Sequence, residues 1–438
     1  MSSLSRWWPL APAIAPVLLL AVPVEYGDGS STSTHVSVAD VASAFLVLFC
    51  ALRLLRHRAR PLTPAAAFVL GIPAAGFAVA TITAADPVAA LPGFVRYLQV
   101  FVLVPTAVAL LLRDARDFRV VAGSFVVLAL IQGVLGVHQY VTGTGASYMG
   151  SDIRAVGTFG PTDVMGMATV VAYGLVIATG LALRPAHDAP RWLRPAAVAT
   201  AVALTVPLAL SFSRGAWIAT LLGGVAVMLL AGLRQAARAL AAVVAVTVVL
   251  VGGFGVGSQA ISTRLSSITQ VTDAPDQSVT DRYAMWAAAV SMWREEPATG
   301  VGLKGFPAHR DGHSSLGLSA ASDTAGAGRA FQRQPLLSPH NMYLLVLSEQ
   351  GLVGATALIG SWAALLVGGV RRLAGARRSR KAAVDCGLMA MGLMIWQTVD
   401  FLYADIGGPS TALTGIVLGL IAWWALVEPE TSSTSSSV

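Results

Sequence analysis

Apolar stretches of about twenty residues recur along this chain, and no other feature of the sequence restricts its fold so strongly. A helix needs roughly 20 apolar residues to cross the hydrocarbon of a bilayer. Runs that fit lie at about 9–24, 38–55, 64–84, 94–112, 120–141, 164–183, 196–212, 215–232, 239–257, 342–369, 383–402 and 406–427. In lipid each backbone N–H and C=O must be satisfied within its own segment, so these runs are expected to be helices. Strands of an outer-membrane barrel would alternate in ten-residue pieces, and these runs do not. Composition agrees: 55% of the residues are hydrophobic and only 12% are charged, a balance uncommon in soluble domains. The expected fold class is all-α, a polytopic integral membrane protein with about 12 transmembrane helices.

The first run is proline-rich, and Val22-Pro23-Val24-Glu25 offers no small-residue cleavage pattern, so it reads as a span and not a signal peptide. Both cysteines, Cys50 and Cys386, fall inside apolar runs, which leaves no disulfide framework and no cysteine metal site. Arginine placement sets the orientation. Arg53, Arg56, Arg58 and Arg60 follow the second run, Arg113, Arg116 and Arg119 the fourth, and Arg184, Arg191 and Arg194 the sixth. Arg234 and Arg238 follow the eighth, and Arg371, Arg372, Arg377, Arg378, Arg380 and Lys381 the tenth. Every second connection is basic, as cytoplasmic loops are. Both termini are then cytoplasmic, and the net charge of +7 is mostly a topology signal, with no nucleic-acid partner implied. The expected layout is 1–257 for transmembrane helices one to nine, 258–340 for one large extracytoplasmic loop, 341–428 for helices ten to twelve, and 429–438 for a Ser/Thr-rich, disordered cytoplasmic tail.

The outward connections should then be poor in arginine. Long loops escape that rule, but Arg154 and Arg214 sit in short ones. Arg214 lies in a tight Ser211-Phe212-Ser213-Arg214-Gly215 turn at the start of a helix, where an arginine is not locally favoured. With helix N-terminal N–H groups it would suit a phosphate or diphosphate. The plain alternative is an arginine snorkelling to lipid headgroups. Arg154 precedes Gly157-Thr158-Phe159-Gly160, a bent backbone expected to lie close to something, with an ordinary glycine-rich loop as the alternative.

Within the large loop, Ser278 and Asp281 form a capping box before a helix that ends ahead of Pro297. Trp286 and Trp293 share a face with Met285, Ala289 and Met292, suited to the membrane interface or to the helix bundle. A Gly300-Val301-Gly302-Leu303-Lys304-Gly305 turn follows, and about 309–339 is expected to be mobile. Then come His340-Asn341 and Gly351-Leu352-Val353-Gly354. With Pro339 marking a helix start, Tyr343, Leu344, Leu347, Gly351 and Gly354 are expected on the face of His340, with the glycines admitting a neighbouring helix. A lone histidine is usually structural; this one stands outside the lipid next to outward cations and is a catalytic candidate. His309-Arg310-Asp311-Gly312-His313 is a poor metal site, because its glycine and expected turn defeat fixed ligand spacing. Glu349, Asp400 and Asp405 are acids in or beside apolar runs, for which function or pairing with an internal arginine are both open.

These residues resemble the O-antigen ligase and Wzy-type polymerase superfamily. His340, Asn341, Gly351 and Gly354 meet its His-[Asn/Ser/Gln]-x9-Gly-x-x-[Gly/Thr/Tyr] signature in full. The Ser-Arg-Gly turn at Arg214, the Arg154 loop, the Arg282…Trp286…Pro297…Gly300-x-Gly302 stretch and the large outward loop support it. One departure is Ile218, where the family's Arg-x3-Leu pattern has leucine. The resemblance implies a GT-C-like fold in the cytoplasmic membrane, with its active site facing outside, and a glycosyltransferase of cell-surface polysaccharide biosynthesis. It would move a glycan from a polyprenyl diphosphate carrier, such as undecaprenyl, to an acceptor hydroxyl, with inversion and with no metal or other cofactor. Its partners would be the lipid-linked glycan donor, a glycan, lipid or protein acceptor, and membrane lipids. In that scheme Arg214, Arg154 and Arg282, with Arg96 a weaker fourth, bind the diphosphate; His340 is the catalytic group; Asn341, Gly351 and Gly354 are structural. The motifs do not separate ligase from polymerase. An O-oligosaccharyltransferase acting on protein, a non-catalytic scaffold, and a 12-helix transporter or flippase of lipid-linked sugars are the alternatives; the last is disfavoured because no internal repeat is evident.

Overall fold

The computed structural model describes residues 7–23, 37–57, 62–148, 151–160, 163, 165–186, 189–238, 241, 277–314, 318, 321–326, 329–379 and 383–427. Its helices are α1 (Ala11–Leu18, flanked by 3-10 turns), α2 (Val38–His57), α3 (Pro64–Ile82), α4 (Pro87–Leu111), α5 (Ala115–Thr142), α6 (Gly166–Leu183), α7 (Leu193–Leu210) and α8 (Arg214–Ala231). They continue with α9 (Gln277–Glu295), α10 (Phe306–His313), α11 (Met342–Arg378), α12 (Val384–Asp400) and α13 (Thr411–Leu426). Each expected run except 239–257 coincides with a helix. That run apart from Ala241, the residues 258–276 and the tail 429–438 lie outside the described residues. Among the described residues, 8 helices are long and apolar enough to cross a membrane, and the chain is an integral membrane protein.

Side chains placed just before several helices explain where they begin. The carboxylate or hydroxyl of Thr63, Asp86, Asp114 and Ser213 accepts from an N–H of the first turn, as does the amide oxygen of Asn341. Asp86-Pro87 pairs a cap with a proline in the first turn, so α4 opens at Pro87 and not near residue 94 as the apolar run alone suggests. The same helix contains a π turn at Gln99–Leu103, beside the ion pair of Arg96 with Asp40.

The basic helix ends share one face. Arg119 binds Asp385 through Nε and Nη2 at 2.6 and 3.0 Å, joining the starts of α5 and α12. Arg372 donates to the carbonyls of Trp424 and Val427 at the end of α13, and Arg377 to that of Leu230 at the end of α8. This clustering is what alternate basic connections require of a membrane bundle.

At the other end of the bundle the segment after α9 is tied in by α11, which is not a continuous helix. Gly351 has φ 58° and ψ −161°, a conformation essentially closed to residues with a side chain. At that break the Leu352 and Val353 N–H groups donate to the carbonyls of Pro297 and Ala298, at 2.9 and 3.1 Å, while the Ser348 carbonyl accepts from Val301 N–H at 2.9 Å. A Cβ on Gly351 would overlap the Ala298 carbonyl. The stretch 297–301, which leads into the turn expected at 300–305, therefore replaces hydrogen bonds that the helix gives up, as buried backbone requires. The turn is held from its other side by Leu303 N–H, which donates to the Ala80 carbonyl of α3 at 3.0 Å.

Two features differ from expectation. His340 and Gly351 do not share a helical face with Gly354: α11 starts at Met342 with Asn341 as its cap, and the break at Gly351 resets the phase. Gly354 does admit a neighbour, since a Cβ on Gly76 of α3 would stand 3.0 Å from its Cα. The stretch 309–339 contains the end of α10 and two strands, β3 (Ala321–Gly326) and β4 (Arg329–Pro335), in place of a mobile segment. With β1 (Ala146–Tyr148) and β2 (Ser151–Arg154) these form an antiparallel sheet in the order β2-β1-β3-β4, so backbone pairing to the loop before α6 supplies the order that its composition does not. The helical framework stands as expected, with this small sheet added.

Gly351→Ala should cost about 1–3 kcal/mol of stability from the backbone conformation, with the Ala298 overlap adding to it. Thermal unfolding of the detergent-solubilised protein checks this against Gly360→Ala, where nothing lies within 4 Å of the added carbon and little change is expected.

Candidate active site

His340 sits between the large loop and α11 in a left-handed backbone conformation, φ 47°. For a side chain other than glycine this is strained, and such residues persist only where their surroundings fix them. The fixing groups are visible. On one side Trp286 of α9 donates its indole N–H to the Pro339 carbonyl at 2.9 Å. On the other, the Met342 N–H donates to the carbonyls of Phe401 and Ala404 at 2.9 and 3.0 Å, and the Asn341 amide donates to the Leu402 carbonyl at 3.0 Å. Asn341 is thus both the cap of α11 and the latch to the turn after α12, which is why an amide stands beside the histidine. Met285, Ala288, Ala289 and Met292 are buried, so the apolar face of α9 packs on the bundle and not on a lipid surface.

The imidazole is half-buried. Burial holds its pKa below the ordinary 6.5, the Arg282 guanidinium pushes it the same way, and Asp405 opposes both. The neutral base is therefore the favoured form. One carboxylate oxygen of Asp405 is buried and makes no hydrogen bond. Asp405, in the turn after α12, and Arg282, on α9, are thus both near enough to act on the charge of His340.

Arg214 is exposed in the first turn of α8, after the tight Ser211–Ser213 turn. Phe212 in that turn has φ 50°. Gly215 lies against Tyr403, where an added Cβ would come within 3.0 Å of the tyrosine Cβ, so the Arg214 turn abuts the turn on which Asn341 is latched. Arg154 is half-buried, and the next residue, Ala155, donates its N–H to the Leu210 carbonyl at 3.1 Å. The Arg154 loop and the Arg214 turn are therefore hydrogen-bonded neighbours. Arg96 stands apart, bound to Asp40 between α2 and α4, and joins this group no further.

Two side chains that the sequence does not single out hold the Arg154 loop. Gln139 of α5 accepts from the Val156 and Gly157 N–H groups at 3.1 and 2.8 Å and donates to the Gly157 carbonyl at 2.8 Å. Gln132, two turns earlier on the same helix, accepts from Thr158 N–H at 3.0 Å and donates to Thr158 Oγ1 and the Leu20 carbonyl. Glutamines seven apart in an apolar run are the signal that could have found them, since a buried amide needs partners. Asp163 is also buried, accepts from the Ser410 N–H at 3.3 Å, and is pushed up to about 6 by that burial.

Glu349, through one of its oxygens, and the two histidines of α10 have structural partners. Glu349 accepts from the Phe306 N–H at 3.2 Å with Lys304 close by, and so serves the 304–306 turn without an arginine partner. His309 meets the Gly305 carbonyl at 2.9 Å and His313 meets Ser291 Oγ at 3.0 Å, both on α10, which is helical where a turn was expected.

No curated protein matches the chain. A family model described as O-antigen ligase matches residues 199–359, a stretch that takes in Arg214, α9, the 297–305 turn, His340 and the Gly351 break and leaves Arg154 outside. Over that stretch the chain is similar to the O-antigen ligases, and the likeness supports a glycan ligase or polymerase of the membrane in general terms.

Proposed function

We propose that this protein transfers a glycan from a polyprenyl diphosphate carrier to an acceptor hydroxyl, at the extracytoplasmic mouth of a bundle of about 12 transmembrane helices with a GT-C-like arrangement. The observation that carries the reading is the position of His340, strained, half-buried and near the charges of Arg282 and Asp405, within the O-antigen ligase-like stretch.

In this scheme the acceptor oxygen attacks the anomeric carbon as the bond from that carbon to the diphosphate oxygen breaks. The electron pair of the broken bond leaves with the diphosphate, and His340 takes the acceptor proton. Attack opposite the leaving group inverts the anomeric centre. A neutral imidazole suits general base work near pH 7. Arg214, Arg154 and Arg282 stabilise the charge that grows on the leaving diphosphate, so that guanidinium donors take the part a metal ion plays elsewhere. Asn341, Gly351 and Gly354 act indirectly, by setting the turn and the break that hold His340.

His340→Ala in a strain lacking the chromosomal copy should accumulate lipid-linked glycan and lose surface polymer, followed by gel and mass spectrometry. Unchanged donor and product with normal protein levels would make His340 structural. A second expectation concerns pH. Because burial and Arg282 lower the His340 pKa, transfer should stay level as pH falls through 6.5 and decline only below it. Arg282→Gln removes a lowering charge and should move that decline to higher pH, while Asp405→Asn removes a raising charge and should move it lower. Rates of the purified protein across pH check both directions; shifts of the opposite sign would remove His340 from the base role.

A further inference from the structure

On the face opposite His340, three arginines from three helices converge on one cleft of about 380 Å³. Arg184 follows α6, Arg234 follows α8 and Arg377 lies in the last turn of α11; all three are exposed. Two of the guanidiniums are held by neutral acceptors. Arg184 donates from Nε to Gln235 Oε1 at 2.9 Å and from Nη2 to the Ala231 carbonyl at 3.3 Å, and Arg377 donates from Nη1 to the Leu230 carbonyl at 2.6 Å. Gly232, with φ 119°, ends α8 between them, and a Cβ there would come within 2.9 Å of Arg377 Nη2. Among the described residues no carboxylate pairs with any of the three.

Positive-inside topology accounts for arginines near these helix ends. It does not account for three of them lining one cavity, since like charges gathered together repel. Elsewhere on this face Arg119 pairs with Asp385 and Arg113 with Asp117, so a carboxylate meets each of those guanidiniums, and Arg372 lies over the face of Trp424. We propose that the cleft binds a phosphate group, carried by the headgroup of an anionic phospholipid. Guanidinium forks match phosphate oxygens, and basic pockets between transmembrane helices recognise anionic headgroups. The cleft is lined by the far ends of α8 and α11, the helices that begin at Arg214 and just after His340. A bound headgroup would tie those ends together without touching the site.

The test uses the full chain in phosphatidylcholine nanodiscs, probed with short-chain phosphatidylglycerol and, separately, with inorganic phosphate. Phosphatidylglycerol should raise the melting temperature and be retained in native mass spectrometry. Arg234→Gln and Arg377→Gln should each lower retention about fivefold. Arg234 holds no protein acceptor among the described residues, so Arg234→Gln should fold normally; Arg238→Gln, a basic change outside the cleft lining, should retain lipid like the parent. Equal stabilisation by inorganic phosphate would confirm the phosphate site with the free ion as its occupant. If neither probe binds, or if the Arg234→Gln and Arg377→Gln proteins retain as much phosphatidylglycerol as the parent, the proposal is overturned.

Discussion

The exchange of backbone hydrogen bonds at Gly351 is the constraint on which the half of this protein around His340 depends. A helix that crosses a membrane should satisfy its own amides. Here α11 is opened at one residue, and the turn after α9 supplies the missing partners through Pro297, Ala298 and Val301. The turn cannot move without leaving those amides unpaired. Because the same turn binds α3 at Ala80 and is capped by Glu349, it fixes α9, and α9 fixes Pro339 through Trp286. The chain of contacts ends at His340.

The candidate site is accordingly built from loops, yet each is tied to the bundle. Phe212 and His340, in two of its segments, hold left-handed backbone. Such conformations cost about 1–3 kcal/mol each and need compensation from their surroundings. That compensation is the latch of Asn341 on the turn after α12, the cap of Ser213 on α8, and the insertion at Gly351. Two glutamines on α5 hold the Arg154 loop in the same manner. Burial then shifts the imidazole toward its neutral form, so strain and electrostatics favour one task.

The transmembrane runs were legible in the sequence because apolar length is a direct requirement of the bilayer, and the arginine alternation was legible because topology imposes it. His340, Asn341, Gly351 and Gly354 were legible as a motif, but their geometry was not. Periodicity assumes an unbroken helix, and a glycine that permits left-handed backbone looks the same in sequence as one that admits a neighbour. Gly351 is the first kind and Gly354 the second. The strands β3 and β4 escaped notice because their order comes from pairing with a distant loop, not from an apolar pattern. Arg96 looked available because its partner Asp40 lies far away in sequence. Gln132 and Gln139 carry no motif as amides in an apolar run, although each has several partners.

The central claim is a division of labour, with arginines holding the donor diphosphate and His340 acting on the acceptor. It is tested most directly by reconstituting the protein with a polyprenyl-diphosphate glycan and measuring donor binding and transfer separately for His340→Asn and Arg214→Gln. The account predicts that His340→Asn binds donor as the parent does and transfers none, while Arg214→Gln loses donor affinity. Transfer at the parental rate by His340→Asn, or a loss of donor binding equal to that of Arg214→Gln, would contradict it.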